Sequence, residues 1–160
     1  MNDTFNLPSQ LKKVLQVAHD SHQKIVLVTG VFDLLHEEHR NFLKKAHQAG
    51  NTLIVGIESD VRVRKLKGEG RPIWDQERRK EELEQIPEVS GVFILPEIFD
   101  QPIHHEQLIK TIRPSVLAVS SHSPHLDRKQ RIMDLVGGVV KVVHQLNPDV
   151  STTQILAETK

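Results

Sequence analysis

The sequence has no cysteine, no tyrosine, a single tryptophan and no excess of either charge. Without cysteine there is no disulfide scaffold, no thiolate metal site and no cysteine nucleophile. The 21 Lys+Arg balance 21 Asp+Glu, so the basic excess of an electrostatic nucleic-acid binder is missing. The longest apolar runs reach about six residues, far short of the ~20 that a membrane-spanning helix needs. The opening MNDTFNLPSQ lacks the basic end and apolar stretch of a signal peptide. These absences predict a soluble, cytoplasmic protein with neither nucleic acid nor membrane as partner. Its 160 residues, 38% of them hydrophobic, suit one domain over 1–160, with an N-terminal helix in 1–22 and a core over 24–159. What is abundant is histidine, with ten residues that titrate near neutrality.

Short apolar runs alternate with stretches of helical periodicity, without repeats or low-complexity linkers. Leu11, Val14, Leu15 and Ala18 predict an amphipathic helix over 10–21 with Ser9 as its cap. Residues 24–30, 52–58, 89–96, 115–121 and 139–144 read as strands. Helices are expected over 35–49, from a cap at Asp60 to Leu66, over 75–86 with Asp75 as cap, from Pro102 to Ile112, and over 125–135. Ser151 is expected to cap a closing helix over 152–159. This alternation indicates parallel βαβ units, and strands that are apolar throughout indicate cover on both faces. The expected fold is a Rossmann-like, doubly wound α/β sandwich of three layers around a five-stranded parallel sheet. Such sheets bind ligands beyond the carboxyl ends of their strands, which selects residues 29–39, 58–72, 120–125 and 144–153.

The first strand runs into Gly30-Val31-Phe32-Asp33-Leu34-Leu35-His36-Glu37-Glu38-His39. A helix beginning near His36 turns free N–H groups toward this edge and makes an anion site. His36 and His39 share one face of its first turn, where imidazoles can donate to phosphate oxygens. A pair of solvated histidines is the alternative. The i, i+3 spacing excludes the zinc-protease motif, and no metal ligand set is expected. Lys67 and Arg71 flank two glycines in a loop that is neither a P-loop nor a dinucleotide fingerprint. Arg78 and Arg79 stand near a helix N-terminus, where the dipole disfavours cations. An anionic ligand and plain solvent both account for that placement. Ser151, Thr152 and Thr153 offer a second phosphate cradle or an ordinary cap. Ser120, Ser121 and His122 follow the fourth strand, while His19, His22, His104 and His105 are expected at the surface.

Together these segments resemble the cytidylyltransferase-like nucleotidyltransferase superfamily marked by Gly-x-Phe-Asp-x-x-His-x-Gly-His. The likeness continues through Ala46, Gly50, Ser59-Asp60, Leu66-Lys67-Gly68, Arg71-Pro72 and Glu77-Arg78 to Ser151-Thr152-Thr153. It covers roughly residues 24–158. From the second strand to Arg71-Pro72 the chain is most similar to heptose 1-phosphate adenylyltransferases. The resemblance implies transfer of a nucleotidyl group, from ATP or else CTP with Mg²⁺, to a phosphorylated small molecule such as a sugar phosphate, with release of pyrophosphate. It implies His36, His39 and Lys67 as catalytic residues. Gly30, Val31, Phe32, Arg78, Ser151, Thr152 and Thr153 would hold the nucleotide. Asp33, Arg71, Ser120, Ser121 and His122 would be on the acceptor side, with Asp33 orienting the acceptor or the loop. Relatives are often homodimers.

Three positions depart from the pattern. Glu38 replaces the motif glycine, Ser120-Ser121-His122-Ser123 replaces a Gly-Gly-Asp or Gly-Asp-Asp acceptor loop, and Glu58 stands where relatives often carry Asn. A carboxylate facing a phosphate at ~4 Å costs about 4 kcal/mol at an effective dielectric near 20. Glu38 therefore keeps a second reading open: a nucleotide-binding or regulatory module that retains the fold without the chemistry.

Overall fold

The computed structural model describes residues 7–145. In chain order the elements are α1 (Ser9–Asp20), β1 (Ile25–Gly30), α2 (Glu37–His47), β2 (Thr52–Ile57), α3 (Asp60–Lys67) and α4 (Gln76–Glu84). They continue with β3 (Gly91–Ile94), α5 (Pro102–Ile112), β4 (Val116–Ser120), α6 (Leu126–Asp134) and β5 (Val139–His144). The five strands form one parallel sheet in the order β3-β2-β1-β4-β5. The expected Rossmann-like architecture is observed. The closing helix over 152–159 lies outside the described residues.

Strand periodicity divides β1 between two cores. Ile25 and Leu27 pack with Leu11 and Leu15 of α1, Leu108 and Ile112 of α5, and Met133 of α6. Val26 and Val28 pack on the other face with Phe42, Leu43 and Ala46 of α2 and Leu83 of α4. All four β1 residues are essentially solvent-free, which is why the strand is apolar without alternation. The chain builds outward from β1 to β3, then returns through α5 to place β4 on the other side of β1. The sheet's switch point therefore lies between β1 and β4, where a crevice opens at the strand ends.

Two caps differ from expectation. Pro8, not Ser9, is the N-cap of α1. Ser59 caps α3 by accepting the Arg62 N–H, because Asp60 is occupied by Arg79. Asp75 caps α4 as expected, accepting the Arg78 N–H at 2.8 Å.

Candidate active site

Between Gly30 and α2 the chain makes a tight turn in which Phe32 and Leu34 both have positive φ, 52° and 50°. Left-handed backbone costs a non-glycine residue roughly 1–3 kcal/mol, so the turn needs external support. Asp33, only 2% exposed, supplies it. Its carboxylate accepts from the Ile73 N–H at 2.8 Å, the Trp74 N–H at 3.0 Å and Arg71 Nε at 3.3 Å. Asp33 thus ties the loop after α3 to the end of β1. Gly30 is a packing requirement, since a Cβ there would stand 2.9 Å from the Phe32 ring.

His36 is the N-cap of α2, and its backbone N–H donates to Nδ1 of His39 at 3.3 Å. That bond makes Nδ1 an acceptor, so the proton of the neutral ring sits on Nε2 and is available for donation. The two rings stack with centroids 3.8 Å apart. Burial, aided by His36 and Lys67 and opposed by Asp33 and Glu38, pushes His39 down to about 3. His36 is lowered too, by burial against the influence of Glu38. His39 is therefore a neutral donor at physiological pH.

A cavity of about 370 Å³ opens at the switch point and brings together most of the sequence-selected residues. Gly30, Val31, Phe32 and Asp33 form its floor with His39, while Lys67 and Arg71 come from α3 and the following loop. Ser120 at the end of β4 and His122 just after it also line the cavity, and a register shift between Val119 and Ser120 moves the pairing with β5 on to His144. Three selected residues are not part of this wall. His36 backs the ring of His39. Ser121 is used through its backbone, donating to the His144 carbonyl at 2.9 Å. Arg78 stacks on Trp74, 4.2 Å from the ring centroid. Ser151, Thr152 and Thr153 lie outside the described residues.

Glu38 is at the cavity wall, but its carboxylate is engaged. It accepts from His144 Nε2 at 2.9 Å, and Lys45 Nζ donates to His144 Nδ1 at 3.0 Å. The imidazole relays the Lys45 charge to Glu38 and fixes the carboxylate against the end of β5. The sequence shows Glu38 only as a charge beside an anion site. The partners that compensate it come from α2 and β5 and meet through the fold.

Arg79 was indistinguishable from Arg78 by sequence, yet it is fully buried. Its guanidinium donates to the carbonyls of Trp74 (3.0 Å), Val31 (2.9 Å) and Glu58 (2.8 Å) and to Asp60 Oδ1 (2.7 Å). It cross-links the ends of β1 and β2, the start of α3 and the loop before α4. The two arginines differ because α4 turns one toward the sheet and the other outward.

A second cavity of about 330 Å³ lies across the strand ends, between α5 and α6. Glu58 and His105 line it. Burial raises the Glu58 carboxyl above its ordinary range, against the pull of Arg62 and Arg79. His105, expected at the surface, packs on Phe99 at 4.3 Å and is lowered by burial and by Lys129. Two other histidines assigned to the surface also have structural partners. His104 accepts the N–H groups of Asp100 and Gln101 at the start of α5, and His19 Nε2 lies 3.2 Å from the Ile112 carbonyl. Helix packing supplies these partners, which periodicity alone does not show.

A cytidylyltransferase-like family model matches residues 27–158, enclosing the turn, both cavities and every strand from β1 onward except its first residues. The chain belongs to the cytidylyltransferase-like family. Among curated relatives, the "bifunctional protein HldE" of Helicobacter pylori strain G27 is 39% identical over 117 residues, covering 73% of this chain and 24% of that protein. HldE of Desulfatibacillum aliphaticivorans is 31% identical over 150 residues, covering 93% and 29%. The chain thus spans under a third of the length of these relatives. A similar solved structure is the lipopolysaccharide core biosynthesis protein of Thermoplasma volcanium, with a TM-score of 0.65 at 23% identity over 79% of this chain and 99% of that one. Among the described residues, no helix of this family member is long and apolar enough to cross a membrane.

Proposed function

We propose that the chain transfers a nucleotidyl group, AMP from ATP, to the phosphate of a phosphorylated sugar and releases pyrophosphate. The observation that carries this is the cavity at the switch point, where a neutral His39 on the first turn of α2 faces the same space as Lys67. Resemblance to heptose 1-phosphate adenylyltransferases and the HldE relatives support the sugar phosphate and the base. The nucleotide would be taken as its Mg²⁺ complex, and the ion would supply neutralisation of phosphate charge beside Lys67 and His39. Helix N-H groups, His39 and Lys67 hold the triphosphate in the first cavity, and the second cavity receives the acceptor. Catalysis here is positioning and charge neutralisation, with no covalent enzyme intermediate.

The test is pyrophosphate release from ATP or CTP with Mg²⁺ and heptose 1-phosphate. Release that requires both substrates, with ATP preferred, is expected. Absence of release with either nucleotide, alongside measurable nucleotide binding, would favour the non-catalytic module.

Glu38 gives a second expected result. Because His144 and Lys45 hold and compensate its carboxylate, Glu38→Gly changes ATP affinity by less than about threefold. His144→Ala releases the carboxylate toward the cavity and weakens ATP binding by about tenfold, ~1.4 kcal/mol. Calorimetric titration of both variants decides this. A large gain in affinity for Glu38→Gly would show that the carboxylate obstructs the site.

A further inference from the structure

Three residues line both cavities: Thr29, Leu117 and Lys129. Only Lys129 carries a charge. It projects from the first turn of α6, on the face of the sheet opposite α2, to the point where β1 and β4 end. Its ammonium donates to Ser123 Oγ, and no carboxylate pairs with it among the described residues. Burial pushes its pKa below the ordinary lysine value, consistent with a cation held without a counter-charge. The other cations divide between the cavities. Lys67 and Arg71 face the first, and Arg128 faces the second.

Resting on the nucleotidyl-transfer reading above, we infer that Lys129 is a catalytic residue that contacts both the α-phosphate of the nucleotide and the attacking phosphate of the acceptor, where the two cavities meet. In the transfer, an acceptor phosphate oxygen forms a bond to the α-phosphorus. The bond from that phosphorus to the α,β-bridging oxygen breaks, and pyrophosphate leaves with the electron pair. No proton has to move. The step brings two anions to bonding distance, so their repulsion is greatest at the junction of the cavities. An ammonium fixed at that junction, and already stripped of part of its water, offsets the repulsion where it peaks. Lys67 faces only the nucleotide side and does not supply this. The sequence did not single out Lys129, since it reads as one of several polar residues on a surface helix.

Lys129→Met keeps the aliphatic stem and removes the charge, while Lys129→Arg keeps the charge. Pyrophosphate release is measured with ATP, Mg²⁺ and heptose 1-phosphate. Calorimetry measures binding of ATP with Mg²⁺ and, separately, of heptose 1-phosphate, and thermal unfolding checks the fold. Lys129→Met is expected to lower turnover about 100-fold and heptose 1-phosphate affinity at least tenfold. Its midpoint of unfolding should stay near wild type, and its ATP affinity should fall less than its heptose 1-phosphate affinity, because Lys67 and Arg71 also line the first cavity. Lys129→Arg should recover turnover to within about tenfold. Turnover of Lys129→Met within threefold of wild type overturns the inference and leaves the proposed reaction standing. No release from wild type itself sinks the proposed reaction, and the role of Lys129 is then decided by the binding arm. In that case equal heptose 1-phosphate affinity in wild type and Lys129→Met overturns it, and a tenfold loss keeps Lys129 as a phosphate ligand.

Discussion

Replacing His39 with alanine lowers pyrophosphate release by about 10²–10³-fold, the range seen when one preorganised donor to a developing charge is removed. The effect falls on turnover because the donor is aimed before substrate arrives: the His36 N–H occupies Nδ1 and leaves the proton on Nε2. His39→Gln retains a donor of different reach and recovers part of the rate. The variants also differ in acid stability. In the unfolded chain His39 titrates near 6.5, and in the folded protein only at about 3. Between those values the unfolded state binds more protons, so this contribution is complete above pH 6.5 and is lost as pH falls toward 3. From pH 7 to pH 5 the loss is about 2 kcal/mol, at 1.36 kcal/mol per pH unit below 6.5. Urea unfolding at the two pH values should show a smaller decline for His39→Gln than for wild type. Equal declines would mean that His39 is protonated in the folded state, and the neutral donor would have to be abandoned. Because the ring stays neutral, His39 contributes no limb near pH 6.5 to the rate profile.

Arg79→Ala produces the largest loss of stability, about 3–5 kcal/mol, because it removes one partner of a buried ion pair. Asp60 loses its 2.7 Å guanidinium contact, and the carbonyls of Val31, Glu58 and Trp74 lose their donor inside the protein. At roughly 2–4 °C per kcal/mol for a domain of this size, the midpoint falls by about 6–20 °C. Arg79→Lys recovers little, since a single ammonium cannot span four acceptors on three segments. Arg78→Ala is the internal comparison. It removes an exposed cation–π contact worth about 0.5–1 kcal/mol, so its midpoint should move by only a few degrees. Similar losses for the two arginines in a thermal melt would contradict the clamp assigned to Arg79. Substrate binding should suffer with Arg79→Ala as well, because the same guanidinium holds the turn carrying Phe32 and Asp33.

The motif around Gly30–His39 was legible because its chemistry is local. Glycine, two histidines three apart and a helix start lie within ten residues, and their relation is fixed by the helix itself. The inner strands β1 and β2 were legible for a similar reason, since a strand buried on both faces is apolar throughout. Asp33 is read from the resemblance as orienting the acceptor or the loop, and its partners Arg71, Ile73 and Trp74, about forty residues away, show that it fastens a loop. Arg78 and Arg79 looked alike because helix phase over nine residues, seven of them charged, leaves the buried face weakly marked.

The sequence by itself determined the alternating architecture, the family and the helix that starts at His36, each written in local periodicity or in a compact run of residues. Tertiary structure alone decided how charge is used there. Glu38 is answered by His144 and Lys45, Arg79 serves as a buried clamp, and Lys129 reaches the point where two cavities meet. The physical reason is that the sign of a residue is encoded in the chain, but its energy depends on distance and burial. Those are set by parallel strands that bring together groups as much as 106 positions apart.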